Sequence, residues 1–88
     1  MRLQTTRRFE RDLKLAKKRG KNLEKLWQVV ERLSAGEPLA PRNRMHRLSG
    51  DWFRAWECHI EPDWLLIWRI DDDSLVLIRT GTHADLFG

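Results

Sequence analysis

The last third of the sequence constrains the fold more than any other part. Three apolar runs follow one another: Trp52 to Ile60, Trp64 to Ile70 and Leu75 to Thr80. The breaks between them, Glu61-Pro62-Asp63 and Asp71-Asp72-Asp73, have the length of hairpin turns. Strands joined this way lie side by side and antiparallel. The middle run, WLLIWRI, has almost no polar alternation, so it is expected at the centre of a sheet with helices over at least one face.

The first half supplies that cover. Arg2 to Thr5 is long enough for a short strand. Thr6 is placed to cap a helix, because its hydroxyl can accept from the free N–H groups of the next turn. Phe9, Leu13 and Ala16 recur at helical spacing, and Gly20 can end the helix in the left-handed conformation. Asn22 caps a second helix whose apolar face is Leu23, Leu26, Trp27, Val30 and Leu33, stopped by Gly36 and Pro38. So short a connection predicts an antiparallel helical hairpin. The predicted order is β-α-α-β-β-β, a two-layer α+β sandwich in a single domain over residues 1–88. A chain of this size has no room for a separate cofactor domain.

Charge is distributed unevenly. From Arg7 to Lys25 the chain carries Arg7, Arg8, Arg11, Lys14, Lys17, Lys18, Arg19, Lys21 and Lys25 against Glu10, Asp12 and Glu24. Such a field suits nucleic acid or an acidic protein; the alternative is a solvated, lysine-rich helix face. The loop from Glu37 to Asp51 adds Arg42, Arg44, His46 and Arg47, and its length and density of arginine favour a functional loop. Cys58 is the only cysteine, which excludes an intramolecular disulfide and fits a reducing cytosol. The N-terminal residues lack the apolar run of a signal peptide, and no segment has the length of a membrane span, so a soluble cytoplasmic protein is expected.

All three histidines lie at or after position 46. Strand alternation puts Glu57 and His59 on one face with Phe53 and Ala55, and turns Trp56, Cys58 and Ile60 towards the core. A carboxylate and an imidazole then project together, near Asp63 beyond the turn. Imidazole exchanges protons near neutral pH. Histidines, acids and arginines in one place suit a phosphodiester substrate. One group takes the proton of a ribose 2′-OH, another protonates the departing 5′-oxygen, and cations stabilise charge on phosphorus. Such a reaction calls for neither metal nor cofactor, and the histidine spacing matches no compact zinc motif. Against this stand the ordinary structural readings: a histidine on a strand is usually packed or at the surface, an Asp after Pro is a common turn residue, and the tryptophans and Cys58 suit a core.

Three strings sharpen the choice: HxLxGxW at His46 to Trp52, ECHIEPDWLLIW at Glu57 to Trp68, and RTGTHADLF at Arg79 to Phe87. With the FxxDLKxAxKRG run from Phe9 to Gly20, they resemble the YafQ family of RelE-like toxins from bacterial type II toxin–antitoxin systems, across essentially the whole chain. The resemblance implies a RelE-like fold and an endoribonuclease that cuts mRNA in the ribosomal A site. It also implies a cognate antitoxin, contact of the basic helices with ribosomal RNA, and operator DNA reached only through the toxin–antitoxin complex. Its functional residues carry over to His46, His59, Asp63, His83 and Phe87, with Trp64 as the tryptophan after the aspartate. Glu57 and Trp64, the latter because it adjoins Asp63, are expected to position the RNA substrate. His46 and His83 are the expected proton-transfer pair, in either order. His59 and Asp63 orient the substrate or a histidine, or share the proton transfers, and Phe87 holds the tail or stacks on a base. Arg54, Arg69 and Arg79 are candidates for phosphate contact. Two positions depart from the family pattern: Glu57 replaces an aspartate, and Trp56 stands where an arginine is frequent, with Arg54 on the same strand face as its possible replacement. A superfamily member that poisons a protein such as DNA gyrase, or a plain RNA- or DNA-binding module, are the alternative readings.

Overall fold

The computed structural model describes residues 1–52 and 54–88. Phe53, expected on the face of Glu57, lies outside the described residues. Strand β1 (Arg2–Thr5) leads into helix α1 (Arg7–Lys18) and helix α2 (Leu23–Ser34). The C-terminal half contains β2 (His46–Arg47), β3 (Trp56–Glu61), β4 (Trp64–Asp71), β5 (Ser74–Gly81) and α3 (His83–Phe87). The sheet order is β1-β5-β4-β3-β2, with β1 parallel to β5 and every other pair antiparallel. The apolar run of β4 therefore occupies the centre, as its composition requires.

The helix boundaries follow the capping residues. Thr6 Oγ1 accepts from the Phe9 N–H, and Asn22 Oδ1 accepts from the Glu24 N–H. At the end of α1, Gly20 takes φ +82° while its N–H bonds to Lys17 O and that of Lys21 to Ala16 O, which satisfies the last carbonyls. Gly36 ends α2 in the same way. Phe9 meets the ring of Trp27 edge-on between the two helices. Trp27 itself is half-exposed, and Val29, absent from the predicted stripe, takes a buried place beside Leu26 and Val30. Helix α1 lies against β5, and α2 against β3.

The sheet has an apolar cluster on each face. Phe9, Leu26, Cys58, Trp64, Leu66, Trp68, Leu75 and Leu77 fill the space beneath the helices. Burial pushes the Cys58 thiol up to about 12, with the neighbouring Glu57 adding to the effect, so it is an inert apolar group. On the opposite face, Ala55, Leu65, Ile67 and Leu86 form a smaller cluster with Leu48, Trp52 and Ile78 around it. That second cluster is the floor of the candidate site.

Two expectations need correction. The strand predicted from Trp52 begins at Trp56, because Gly50–Trp52 is a 3₁₀ turn and Arg54 adopts φ +70°. Arg54 is therefore outside the strand and does not share a strand face with Trp56. The loop to Asp51 contains a 3₁₀ turn, Pro41–Asn43, and the short strand β2. The tail, to which the sequence reading assigned no element, forms the helix α3, docked by buried Leu86. No helix among the described residues is long and apolar enough to cross a membrane.

Candidate active site

Cross-strand register assembles the site. His46 pairs with Glu57 across β2 and β3, His59 with Leu65 across β3 and β4, and Leu65 with Gly81 across β4 and β5. Two residues beyond that last pair, Asp63 in the turn meets His83 at the start of α3. A β-bulge after His59 leaves Ile60 unpaired and closes the hairpin at Glu61 and Trp64. Ile60 packs towards the helix-side core, and Glu61 reaches Lys21 and Lys25. Those two ammonium groups hold the Glu61 carboxyl below the usual carboxylate range. Glu57 and His59, by contrast, face the second cluster, as alternation predicted.

On one side of the site, Asp63 Oδ1 accepts from the His83 backbone N–H at 2.9 Å and from its ring Nδ1 at 2.6 Å. These bonds, the backbone one first, lower the Asp63 pKa. A carboxylate that accepts at Nδ1 leaves the Nε2 lone pair of neutral His83 directed outward. On the other side, Glu57 Oε1 lies 3.4 Å from His46 Nε2 and 4.0 Å from His59 Nε2. The Nδ1 atoms of these rings bond to backbone carbonyls, His46 to Arg44 O at 3.0 Å and His59 to Pro62 O at 3.2 Å. A carbonyl only accepts, so Nδ1 carries the proton in both rings and Nε2 faces the carboxylate. Glu57 is 4% exposed, and its Oε2 is buried without a hydrogen-bond partner among the described residues. An unfilled acceptor of this kind is costly in a fold, which marks Glu57 as a position held for something other than stability. The rings of His59 and His83 stand 5.6 Å apart and join the two halves.

The structure thus brings together His46, Glu57, His59, Asp63 and His83. Phe87 is half-exposed at the end of α3 and meets Trp52 edge-on at 6.1 Å. Other predicted positions fall elsewhere. Trp64 is buried on the helix side, donates its indole N–H to Thr80 Oγ1 at 2.9 Å, and has Lys21 over its ring. From there it supports the hairpin and offers no face for stacking. Arg79 is held by Asp12 at 2.7 Å, with both side chains largely buried, and Arg69 is held by Asp71 at 2.8 Å. Neither guanidinium is directed at the histidines by these pairings. Arg54 is exposed and also has a partner within the fold.

Several supporting residues escaped the sequence reading. Asp12 accepts from both Arg79 and the Thr80 N–H, which ties α1 to β5. Asn43 is buried and donates from Nδ2 to His59 O at 2.7 Å. Thr82 and Asp85 form a capping box at the start of α3, and Arg19 pairs with Asp85 at 2.6 Å. The pattern T-x-x-D before Leu86 and Phe87 was a readable signal for that helix. Among the described residues, no group of three or more His, Cys, Asp or Glu side chains is arranged to hold a metal ion.

Comparison with known proteins agrees with this architecture. The family model described as the bacterial toxin of type II toxin–antitoxin systems, YafQ, matches residues 1–88. An mRNA interferase toxin YafQ of Escherichia coli K12 is 42% identical over 81 residues, covering 91% of this chain and 88% of that protein. The crystal structure of YafQ from E. coli BL21(DE3) superposes with a TM-score of 0.93, at 38% identity over the full length of both chains. YafQ in the E. coli DinJ–YafQ toxin–antitoxin complex superposes at 0.89, with 39% identity over 98% of this chain and 96% of that one. The fold is accordingly of the RelE-like α+β class. Within it, the chain belongs to the YafQ family of type II toxin–antitoxin toxins.

Proposed function

We propose that this chain is an mRNA interferase, an endoribonuclease that cleaves messages in the ribosomal A site and so inhibits translation. The observation that carries the reading is the pair of histidine–carboxylate couples facing each other, His83–Asp63 and His46/His59–Glu57, with His59 and His83 at ring contact. Two proton-transfer groups on opposite sides of one cleft are what internal attack by a ribose 2′-OH needs.

In this reading His46 and His83 exchange the protons. Asp63 fixes the tautomer and orientation of His83, as a hydrogen-bonded carboxylate does for a catalytic histidine. His59 positions the substrate between them, held at Nδ1 by Pro62 O. Glu57 orients His46 and His59. Its side chain is one methylene longer than an aspartate, and that length lets Oε1 stand near two imidazoles at once. Phe87, braced on Trp52, is placed to stack on a base. The chemistry is balanced without a metal: the 2′-oxygen bonds to phosphorus as its proton passes to the base, and the 5′-oxygen leaves with a proton from the acid.

The remaining partners follow from charge and family. A cognate antitoxin of acidic character covers the positive surface, in keeping with the DinJ–YafQ complexes of the relative. The exposed cations of the helices meet ribosomal RNA, operator DNA is bound only through the toxin–antitoxin complex, and the protein acts in the cytoplasm. The test is cleavage of a ribosome-bound message, and growth arrest, by the His46→Ala and His83→Ala variants. Loss in both supports the assignment; full activity in both removes it.

A further inference from the structure

Two of the three arginines first considered for phosphate contact are engaged by carboxylates, since Asp12 holds Arg79 and Asp71 holds Arg69. Two others stand beside the site. The 3₁₀ turn Pro41–Asn43 brings Arg42 to the surface, and the next residue, Arg44, is held at φ +46° by its N–H bond to Pro41 O. This loop is fastened to the histidines at two points. Asn43 Nδ2 donates to His59 O, and His46 Nδ1 donates to Arg44 O. Arg42 and Arg44 are both exposed, and neither has a carboxylate partner among the described residues. Together with His59, Ile60, Glu61 and Pro62 they line a concavity of about 370 Å³. Among the described residues lining it the one acid is Glu61, already neutralised by Lys21 and Lys25. The hollow is therefore positive, opens at a histidine of the site, and offers two forked donors suited to phosphate oxygens.

We propose that Arg42 and Arg44 form a phosphate-binding subsite that grips a backbone linkage flanking the scissile one and sets the register of the message in the cleft. The proposal rests on the ribonuclease reading above and adds the residues that hold the strand. Phosphate fits better than an acidic peptide, because among the described residues only Ile60 and Pro62 bring apolar side chains to this hollow. An amphipathic peptide needs a longer apolar anchor row.

The test uses the full-length protein and ribosomes programmed with a defined message. Single charge-neutral methylphosphonate linkages are placed, one message at a time, at about three linkages on either side of the cut, each on a nucleotide whose 2′-OH is methylated. A 2′-deoxy scissile nucleotide blocks cleavage in a parallel set, so that toxin occupancy is measured separately. Arg42→Gln and Arg44→Asn are compared with wild type; asparagine tolerates the positive φ of position 44. For wild type, neutralising one particular linkage lowers occupancy and cleavage about ten- to a hundredfold, the loss of a charge-assisted contact. In the variants the unmodified message shows that loss already, and the same neutral linkage costs nothing more. Unchanged melting curves, and partial recovery in Arg44→Lys, separate this from a folding defect. Equal sensitivity of variants and wild type at every linkage overturns the proposal, as does a loss confined to binding of the acidic antitoxin. If wild type fails to cut the unmodified message, the ribonuclease reading falls, while the occupancy series still decides the subsite.

Discussion

Glu57 and Trp64 illustrate what single positions reveal. Both are predicted to contact substrate, and both are buried, yet alternation sends them to opposite faces of the sheet. Glu57 reaches the two histidines, so Glu57→Gln, which keeps the shape and removes the charge, should lower kcat for message cleavage with little change in KM. A large KM change at constant kcat would instead make Glu57 a substrate-binding group. Trp64 acts on the scaffold through Thr80 Oγ1, which in turn donates to Leu65 O. Trp64→Phe should cost about 1 kcal/mol of stability, measured by thermal melting, and leave cleavage intact at low temperature. Lost cleavage with unchanged melting would put the ring on the substrate. Sequence adjacency to Asp63 suggested the substrate role, but the two-residue turn directs Asp63 to His83 and returns Trp64 to the core.

At the scale of elements, the helices and strands were legible because their caps, glycines and apolar runs act locally. The short elements were harder: β2 has two residues and α3 has five, too few for periodicity to register. Helix α3 depends on its cap. Thr82→Ala removes the acceptor for the Asp85 N–H and should destabilise the protein by about 1 kcal/mol, with a larger fractional loss of activity because His83 is the first residue of the helix. Gly81 belongs to the same device, since a Cβ there would lie 2.9 Å from Asp85 Oδ2. The Arg19 guanidinium, aided by the Thr82 N–H, holds the Asp85 carboxyl down to about 2 from an ordinary 3.8. A folded value below the unfolded one favours the native state when the group is ionised. This contribution is complete above about pH 4 and is lost as pH falls towards 2. Melting temperature should therefore fall less steeply over that range in Asp85→Asn than in wild type, from a lower starting value at neutral pH. Parallel slopes would remove Asp85 from the acid response.

At the scale of the whole molecule, the sheet divides the labour. Helices and the larger core occupy one face, and the histidines stand over the smaller cluster on the other. The cationic run in the helices is only partly free: Arg19, Lys21 and Lys25 serve internal ion pairs, whereas Arg7, Arg8, Arg11, Lys14, Lys17 and Lys18 are exposed. Composition cannot make that distinction, because the partners Glu61 and Asp85 are distant in sequence. If the exposed set meets ribosomal RNA, Lys17→Gln with Lys18→Gln should weaken ribosome binding at low salt and reduce its logarithmic salt slope by about 2. An unchanged slope would place the contact elsewhere.

The central claim is that His83, held at Nδ1 by Asp63, and His46, held at Nδ1 by the Arg44 carbonyl, move the protons of an attack by the message's own 2′-OH. Its most direct test is a single 2′-deoxy nucleotide at the mapped cut site of a ribosome-bound message. The account predicts that wild-type protein still occupies this complex and that cleavage at the site disappears. Cleavage of the deoxy message at an undiminished rate would contradict it, because the attacking oxygen would then have to come from elsewhere.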